Sequence, residues 1–175
     1  MIRQQTILIV VHCSASPPSM DIGADEIRHL HTAPRSEKIS WGAYTLHGKA
    51  FSDLGYHQVV RRSGLIELGR PMGNIGAHAR GFNSESFAIC MVGGVTEDGK
   101  AETNFTQAQW ESVDVAVLHA RKMHPDAWIL GHRDLSPDLD GDGVIKSHEW
   151  TKQCPCFEAQ ERWRHLNVGL ERVIV

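Results

Sequence analysis

AWILGHRDLSP, at residues 127–137, joins a short apolar run directly to a histidine. The run 127–130 predicts a buried strand, which places His132 where that strand ends. A second apolar run, ILIVV at residues 7–11, leads to His12 in the same way. Two strands can therefore present their histidines at the same edge of one sheet, and a strand end holds a metal ligand in a more rigid position than a loop does.

A third candidate ligand follows in the segment KQCPC, at residues 152–156. Zinc binds imidazole nitrogen and thiolate sulfur, and a site with three protein ligands keeps its fourth position open for water or substrate. Cys154 and Cys156 are spaced too closely for an ordinary metal-binding pair, so at most one of them should be a ligand. Because the chain has eleven histidines, spacing alone does not separate a ligand from a surface or hydrogen-bonded histidine.

The composition is that of a globular protein with one domain. With 175 residues, the chain is long enough for one full core and too short for two ordinary domains. A net charge of -3 provides no basic field, so no nucleic-acid partner is expected. No apolar run approaches the roughly 18 to 20 residues of a membrane span, and residues 1–5 lead into a strand rather than a signal peptide. We expect a monomer that does not insert into membranes and stays in the cytoplasm until another factor releases it.

Strands and helices alternate along the chain. Apolar runs and turn signals predict strands at 6–12, 56–62, 65–68, 87–92 and 127–130, the second and third of them forming a hairpin. Helices are predicted at 24–31, from the capping box of Thr106 and Gln109 onward, and at 157–167. This alternation predicts a single domain of mixed α/β class. Residues 32–54 are polar, and they fit either a functional surface loop or an ordinary insertion packed by its own aromatics.

Five short motifs occur in the order in which one family carries them: VHCS at 11–14, GYH at 55–57, GAHA at 76–79, GHRD at 131–134 and CP at 154–155. By these motifs the chain resembles the zinc-dependent N-acetylmuramoyl-L-alanine amidases, in the superfamily shared by phage lysozyme-type endolysins and peptidoglycan recognition proteins. The resemblance implies a mixed central β-sheet flanked by helices, in one amidase domain over residues 1–175. It also implies that Zn²⁺ assists cleavage of the bond between N-acetylmuramic acid and L-alanine in bacterial peptidoglycan.

The resemblance assigns the metal ligands and two catalytic residues. His12, His132 and Cys154 would hold the zinc, and the family pattern of a cysteine followed by a proline selects Cys154 over Cys156. Tyr56, in GYH, and Lys152, two residues before the cysteine, match the tyrosine and lysine that flank the metal in the family. Taken alone, the two would be read as a strand aromatic and a solvated charge.

Three further residues are expected near the metal. His78 and Asn83 match the family segment Gly-x-His-x-x-Gly-x-Asn, which lies along the substrate groove, so they are expected to bind the muramyl peptide. Asp134 is a candidate for orienting a ligating imidazole, because the N–H of the second ring nitrogen usually donates a hydrogen bond to a carboxylate or a carbonyl.

Residues 138–149, DLDGDGVIKSHE, depart from the family pattern. They fit the twelve-residue calcium loop of EF-hand proteins, and the candidate Ca²⁺ ligands are Asp138, Asp140, Asp142, Val144 and Glu149. Lys146, at the ninth position, is a poor ligand and no helix is evident before the loop, so an acidic solvated turn is the alternative. A single loop of this kind favours a structural calcium over a calcium sensor.

The sequence therefore predicts a zinc amidase, and a phage endolysin that lyses its host cell is the leading hypothesis. A non-catalytic peptidoglycan-binding protein is one alternative, but family members that only bind tend to have lost the cysteine ligand. A protein that regulates a polymerase, a role that some phage relatives combine with lysis, is another, and no sequence feature tests it. A simple calcium-binding module would leave His12 and His132 unexplained.

Overall fold

A computed structural model of the chain describes residues 1–41 and 44–169. The strands of these residues are β1 (Leu8–Cys13), β2 (Lys38–Trp41), β3 (Tyr44–His47), β4 (Gln58–Val60), β5 (Ile66–Leu68), β6 (Ser86–Met91) and β7 (Trp128–Gly131). The α-helices are α1 (Ala24–Thr32), α2 (Gln107–Met123), α3 (Ala159–Arg162) and α4 (Arg164–Asn167). None of the helices in these ranges combines the length and the apolar character that a membrane crossing requires.

Five strands form one sheet in the order β5-β4-β6-β1-β7. β1 pairs in parallel with β6 and β7, β4 pairs in parallel with β6, and β5 pairs antiparallel with β4. The central sheet is therefore mixed, as predicted, and every residue of β1 is buried. Because Val11 lies opposite Gly131 in the parallel register, β1 and β7 bring the following histidines to the same sheet edge.

The two faces of β1 contribute to different parts of the molecule. Val11 packs into the main hydrophobic core, which includes Val113 and Val117 of α2. Val10 packs on the other face with Leu130 of β7. Because side chains alternate along a strand, His12 lies on the face that points away from α2. That face carries the candidate site.

Helix α2 begins at the predicted capping box. Gln109 N–H donates to Thr106 Oγ1, and Thr106 N–H donates to Gln109 Oε1, each over 3.1 Å. Gln109 Nε2 also donates to the carbonyl oxygens of Val92 (2.8 Å) and Val60 (3.2 Å), at the ends of β6 and β4. One buried side chain therefore caps the helix and fastens it to the sheet.

Two predicted segments differ from the structure. Inside the predicted loop 32–54, β2 and β3 form an antiparallel hairpin that packs on α1 through Ile39 and Leu46, while residues 42–43 lie outside the described part. The predicted last helix, 157–167, consists of two short helices that are interrupted at Trp163. Trp163 is buried and donates its indole N–H to Asp114 Oδ1 (2.9 Å) on α2, so a tertiary contact overrides the continuous helix.

Candidate metal centre and groove

Two imidazoles and one thiol converge at the carboxyl edge of β1 and β7. His12 lies near the end of β1, His132 directly follows β7, and their ring centroids are 4.6 Å apart. His12 Nδ1 lies 3.7 Å from Cys154 Sγ, and one ligand atom from each of the three residues lies within 4.8 Å of the others. Tetrahedral zinc, with bonds of about 2.05 Å to nitrogen and 2.3 Å to sulfur, separates two such ligand atoms by roughly 3.6 Å. The three donors therefore fit zinc in chemistry and in spacing.

Backbone contacts hold Cys154 beside the two histidines. Arg133 N–H donates to the carbonyl oxygen of Cys154 (2.7 Å), and Cys13 N–H donates to Cys154 Sγ (3.2 Å). Pro155 packs directly on Gly131, where a Cβ would lie 2.5 Å from the proline Cδ. Gly131 is therefore needed for the close approach, and the backbone N–H of Cys13 points at the sulfur of Cys154.

The environment keeps both imidazoles neutral. Burial, followed by the charges of His78, His132 and Lys152, holds the pKa of His12 well below its usual value. Burial and the nearby Lys152 ammonium lower the pKa of His132 to about 4. A neutral imidazole is the form that binds a metal, so the site is ready for metal binding near neutral pH.

Tyr56 lies next to the candidate ligands, as predicted. Its ring centroid is 5.1 Å from that of His12, and the side chain is half-buried. Burial, together with the nearby thiols of Cys90 and Cys154, raises the pKa of the phenol well above its usual value. Tyr56 therefore keeps its proton and can donate a hydrogen bond.

His31 supports Tyr56 from helix α1 and was not singled out from the sequence. Its ring centroid lies 5.4 Å from that of Tyr56, and its Nδ1 accepts the backbone N–H of Gly55 over 2.9 Å. Its position four residues after Ile27 places it on the buried face of α1, which is the one sequence signal that could have identified it.

A groove of about 520 Å³ opens beside His132, the one candidate ligand in its described lining, whereas His12, Cys154 and Tyr56 are not part of that lining. Its lining includes four residues predicted for the site, together with neighbours that were not predicted: His78, Asn83, His132, Lys152, Phe51, Arg80, Phe82 and Leu135. Lys152 is exposed and lines the groove. Arg80 and Phe82 lie inside the motif that contains His78, so the motif itself could have identified them.

Two predicted residues have defined partners around the groove. Asn83 Oδ1 accepts the backbone N–H groups of His78 (2.8 Å) and Ala79 (3.0 Å), so Asn83 shapes residues 76–83, the groove loop. Asp134 Oδ2 accepts the N–H of Gly131 (2.8 Å), and this carboxylate caps the short 3₁₀ turn that contains His132. Asp134 thus acts on the backbone before His132 rather than on an imidazole.

The acidic loop 138–149 folds around its own carboxylates. Oxygen atoms of Asp138, Asp140 and Asp142 lie within 4.8 Å of one another. Glu149 is 3% exposed and accepts the backbone N–H groups of Leu139 (2.7 Å) and Lys146 (2.7 Å). Lys146 Nζ forms ion pairs with Asp140 (2.9 Å) and Asp142, so a cation of the chain partly neutralises the loop.

The amino-acid sequence matches the N-acetylmuramoyl-L-alanine amidase family over residues 3–156, a range that includes all three candidate ligands. The chain is 33% identical to an endolysin of Klebsiella phage KP32 over 161 residues, which cover 92% of this chain and 87% of the phage protein.

Solved structures share the fold. The N-acetylmuramoyl-L-alanine amidase LysC from Clostridium intestinale matches with a TM-score of 0.65 at 21% identity, over 94% of this chain and 87% of that chain. Drosophila PGRP-LB matches with a TM-score of 0.60 at 18% identity, over 89% and 78% of the two chains. Since the family match spans most of the sequence and the phage endolysin exceeds 30% identity over nearly all of it, the chain belongs to the N-acetylmuramoyl-L-alanine amidase family.

Proposed function

We propose that this amidase is zinc-dependent, and that His12, His132 and Cys154 hold the metal while Tyr56 and Lys152 act on the substrate. The reaction is hydrolysis of the amide bond between the lactyl group of N-acetylmuramic acid and the L-alanine of the stem peptide. The observation that carries the proposal is the convergence of two neutral imidazoles and one sulfur, which accepts a hydrogen bond from a backbone N–H, beside an open groove.

The proposed roles follow from the chemistry of each side chain. When bound, zinc would act as a Lewis acid and lower the pKa of a water ligand to about 7. The protonated Tyr56 hydroxyl would donate to the oxyanion that develops on the scissile carbonyl, and one such donor typically contributes about 3 to 4 kcal/mol. The Lys152 ammonium would donate to the same oxyanion or to the leaving nitrogen.

The groove supports recognition of a muramyl peptide. Its volume lies in the usual range of about 300 to 1,000 Å³ for small-ligand sites. It combines apolar walls from Phe51 and Phe82 with polar groups from Arg80 and Asn83. We propose that Asn83 and His78 line the part of the groove that receives the peptide.

A non-catalytic binding protein is the alternative that the site argues against. A module that only binds peptidoglycan needs neither three converging metal donors nor a half-buried, protonated tyrosine beside them. Elemental analysis of the purified protein, paired with peptide release from purified cell wall, separates the two functions. Stoichiometric zinc with peptide release is the expected result, and stoichiometric zinc without bond cleavage would favour the binding function.

We also propose that the chain acts as an endolysin, as a monomer that remains in the cytoplasm until a separate membrane-permeabilising protein gives it access to the cell wall. The relative from Klebsiella phage KP32 is named an endolysin, which supports this role. Cells that produce the chain should stay intact and then lyse after their membrane is permeabilised. Lysis that needs no permeabilisation would contradict the proposal.

Loop 138–149 is proposed to bind one structural calcium ion. The spacing of Asp138, Asp140, Asp142, the Val144 carbonyl and Glu149 supports this, as does the clustering of the three aspartate carboxylates. The ion pairs of Lys146 oppose this proposal, because the ammonium binds the carboxylates of Asp140 and Asp142, which a calcium ion would also need.

A further inference from the structure

His78 connects the candidate ligand His12 to the backbone through a chain of hydrogen bonds. His12 Nε2 lies 3.0 Å from His78 Nδ1, and His78 Nε2 lies 3.1 Å from Ser86 Oγ. Ser86 Oγ lies 2.6 Å from the carbonyl oxygen of Phe82. This series of hydrogen bonds therefore runs from His12 on β1, through His78 in the groove loop, to Ser86, the first residue of β6.

The direction of every bond follows from the last acceptor. A carbonyl oxygen can only accept, so the single hydroxyl hydrogen of Ser86 is donated to Phe82. Ser86 Oγ then accepts from His78, whose Nε2 must carry the proton. In a neutral imidazole the other nitrogen is an acceptor, so His78 Nδ1 accepts from His12 Nε2. His12 is thereby held with its proton on Nε2 and a free lone pair on Nδ1.

The free nitrogen of His12 is the one that faces the metal position. Nδ1 is the atom that lies 3.7 Å from Cys154 Sγ. The opposite tautomer would place a hydrogen on Nδ1, and this nitrogen could then not bind a metal. Ligating histidines generally depend on a partner at the second ring nitrogen to fix the tautomer and the ring orientation.

His78 is held in a defined orientation. Its backbone N–H donates to Asn83 Oδ1 (2.8 Å). A Cβ on Gly76 would lie 2.5 Å from His78 Cδ2, so the glycine leaves the space that the ring occupies. The rings of His12 and His78 meet edge to face, with centroids 4.9 Å apart and planes at 88°. This packing presents His78 Nδ1 to His12.

We propose that His78 is a positioning residue of the metal centre, which accepts the Nε2 hydrogen of His12 and so keeps Nδ1 of His12 available as the ligand. The proposal rests on the proposed function, in which His12 binds zinc. It assigns to His78 a task other than the substrate binding that its motif predicts.

The first test measures the binding of zinc alone, by competition with a chromogenic chelator. His78→Leu removes the acceptor and should weaken zinc binding by roughly 10- to 100-fold. His78→Asn offers an amide oxygen near the position of Nδ1 and should restore most of the affinity. His119→Leu, at an exposed position of α2, is the matched control and should bind zinc like the wild type.

The second test reads the tautomer directly. Long-range ¹H–¹⁵N spectra of the metal-free protein should show the His12 proton on Nε2. Ser86→Ala frees His78 to take either tautomer, so a population of His12 with its proton on Nδ1 should appear. This measurement needs neither metal nor activity, and it decides the proposal even if His78→Leu does not fold.

Two outcomes would overturn the proposal. One is a wild-type His12 that carries its proton on Nδ1. The other is a folded His78→Leu variant that binds zinc normally and shows only a raised KM for a soluble muramyl peptide, which would favour the substrate-binding role. A wild-type protein that does not bind zinc at all would instead overturn the proposed function, so the two failures are distinguishable.

Discussion

At the scale of single residues, the two cysteines of the CPC segment have different surroundings. Cys154 Sγ lies 3.7 Å from His12 Nδ1 and accepts the N–H of Cys13. Cys156 Sγ–H donates to the carbonyl oxygen of Gly94 (3.1 Å), and a hydrogen bond with Cys13, together with burial, raises the pKa of the Cys156 thiol. Cys156 therefore favours the protonated thiol in this environment, which supports Cys154 as the ligand in the proposed zinc site.

This difference predicts opposite results for two matched substitutions. Cys154→Ser should abolish stoichiometric zinc binding and peptide release, because it removes the thiolate ligand. Cys156→Ser should keep both, because a hydroxyl can still donate to Gly94. Zinc content by elemental analysis checks the pair, and zinc retained in the first variant but lost in the second would identify Cys156 as the ligand.

The position of Lys152 predicts a kinetic defect without a loss of metal. Lys152→Ala should leave zinc bound and lower kcat by roughly a hundredfold or more, as expected for the loss of one donor to the transition state. Lys100→Ala, at an exposed position outside the groove lining, is the matched control and should be unchanged. A near-normal kcat in Lys152→Ala would show that this ammonium does not take part in the reaction.

Individual site residues were predictable to different degrees. His12 and His132 follow apolar runs, so the strand pattern alone placed them at one sheet edge. The choice of Cys154 over Cys156 needed the family pattern, since spacing could not separate them. His31 and Ser86 were missed because their roles depend on contacts with Tyr56 and His78, which come from other segments; the spacing of His31 on α1 indicates burial but not this contact.

At the scale of elements, loop 138–149 is fastened to the segment that carries His132. Trp150, directly after the loop, stacks on the buried guanidinium of Arg133, whose carbon lies 3.9 Å from a ring centroid of Trp150. Glu149 is held by backbone N–H groups inside the loop. An ion that orders the loop would therefore also order the backbone next to His132.

Calcium should accordingly stabilise the protein and support its activity. A ligand that binds only the folded state stabilises it by about 2.7 kcal/mol at a hundredfold excess over Kd, which should appear as a higher melting temperature. A calcium-selective chelator should lower the melting temperature and the activity while zinc is retained, and Asp140→Ala should have the same effect.

The ion pairs of Lys146 provide a sharper control for this prediction. Lys146→Gln removes the ammonium that pairs with Asp140 and Asp142, so it should tighten calcium binding in a titration followed by calorimetry. If neither melting nor activity responds to calcium across the millimolar range in either protein, the loop is an acidic turn.

The elements themselves were predicted where the local pattern agrees with the tertiary structure. The capping box of Thr106 and the apolar runs of β1, β6 and β7 have clear local signals, and those elements are present. The break at Trp163 was missed because it results from a hydrogen bond to Asp114, which is far away in sequence. The hairpin β2–β3 was missed because each strand has only four residues, so the alternation in KISW and YTLH is too short to stand out from the polar segment around it.

At the scale of the whole molecule, several buried histidines are neutral in the folded state. Burial, reinforced by Lys49 and Arg70, lowers the pKa of His31 to about 4. Burial also lowers the pKa of His57 to about 4, against a hydrogen bond at Asn74 that raises it. In the unfolded chain both groups titrate near 6.5. The unfolded state therefore binds more protons between about pH 6.5 and 4.

This difference predicts an acid-labile fold. Stability is fully present above the unfolded pKa near 6.5 and is lost as pH falls toward 4, by on the order of 3 kcal/mol for each of these two histidines. Denaturant unfolding of the metal-free protein between pH 7 and 4.5 measures the loss. His31→Asn keeps an acceptor for Gly55 N–H but removes one titrating group, so its pH slope should be smaller. A free energy of unfolding that does not change over this range would contradict the prediction.

The strand order also determines when activity can first appear during synthesis. In the sheet β1 lies between β6 and β7, but in the sequence it precedes both. It is therefore translated first and cannot pair with either strand until that strand leaves the ribosome. His12 and Cys154 are separated by 142 positions along the chain, and the metal centre cannot close before Cys154 has emerged. A nascent chain from which Cys154 has not yet emerged therefore lacks one of the three proposed zinc ligands, and we expect no zinc-dependent hydrolysis from it.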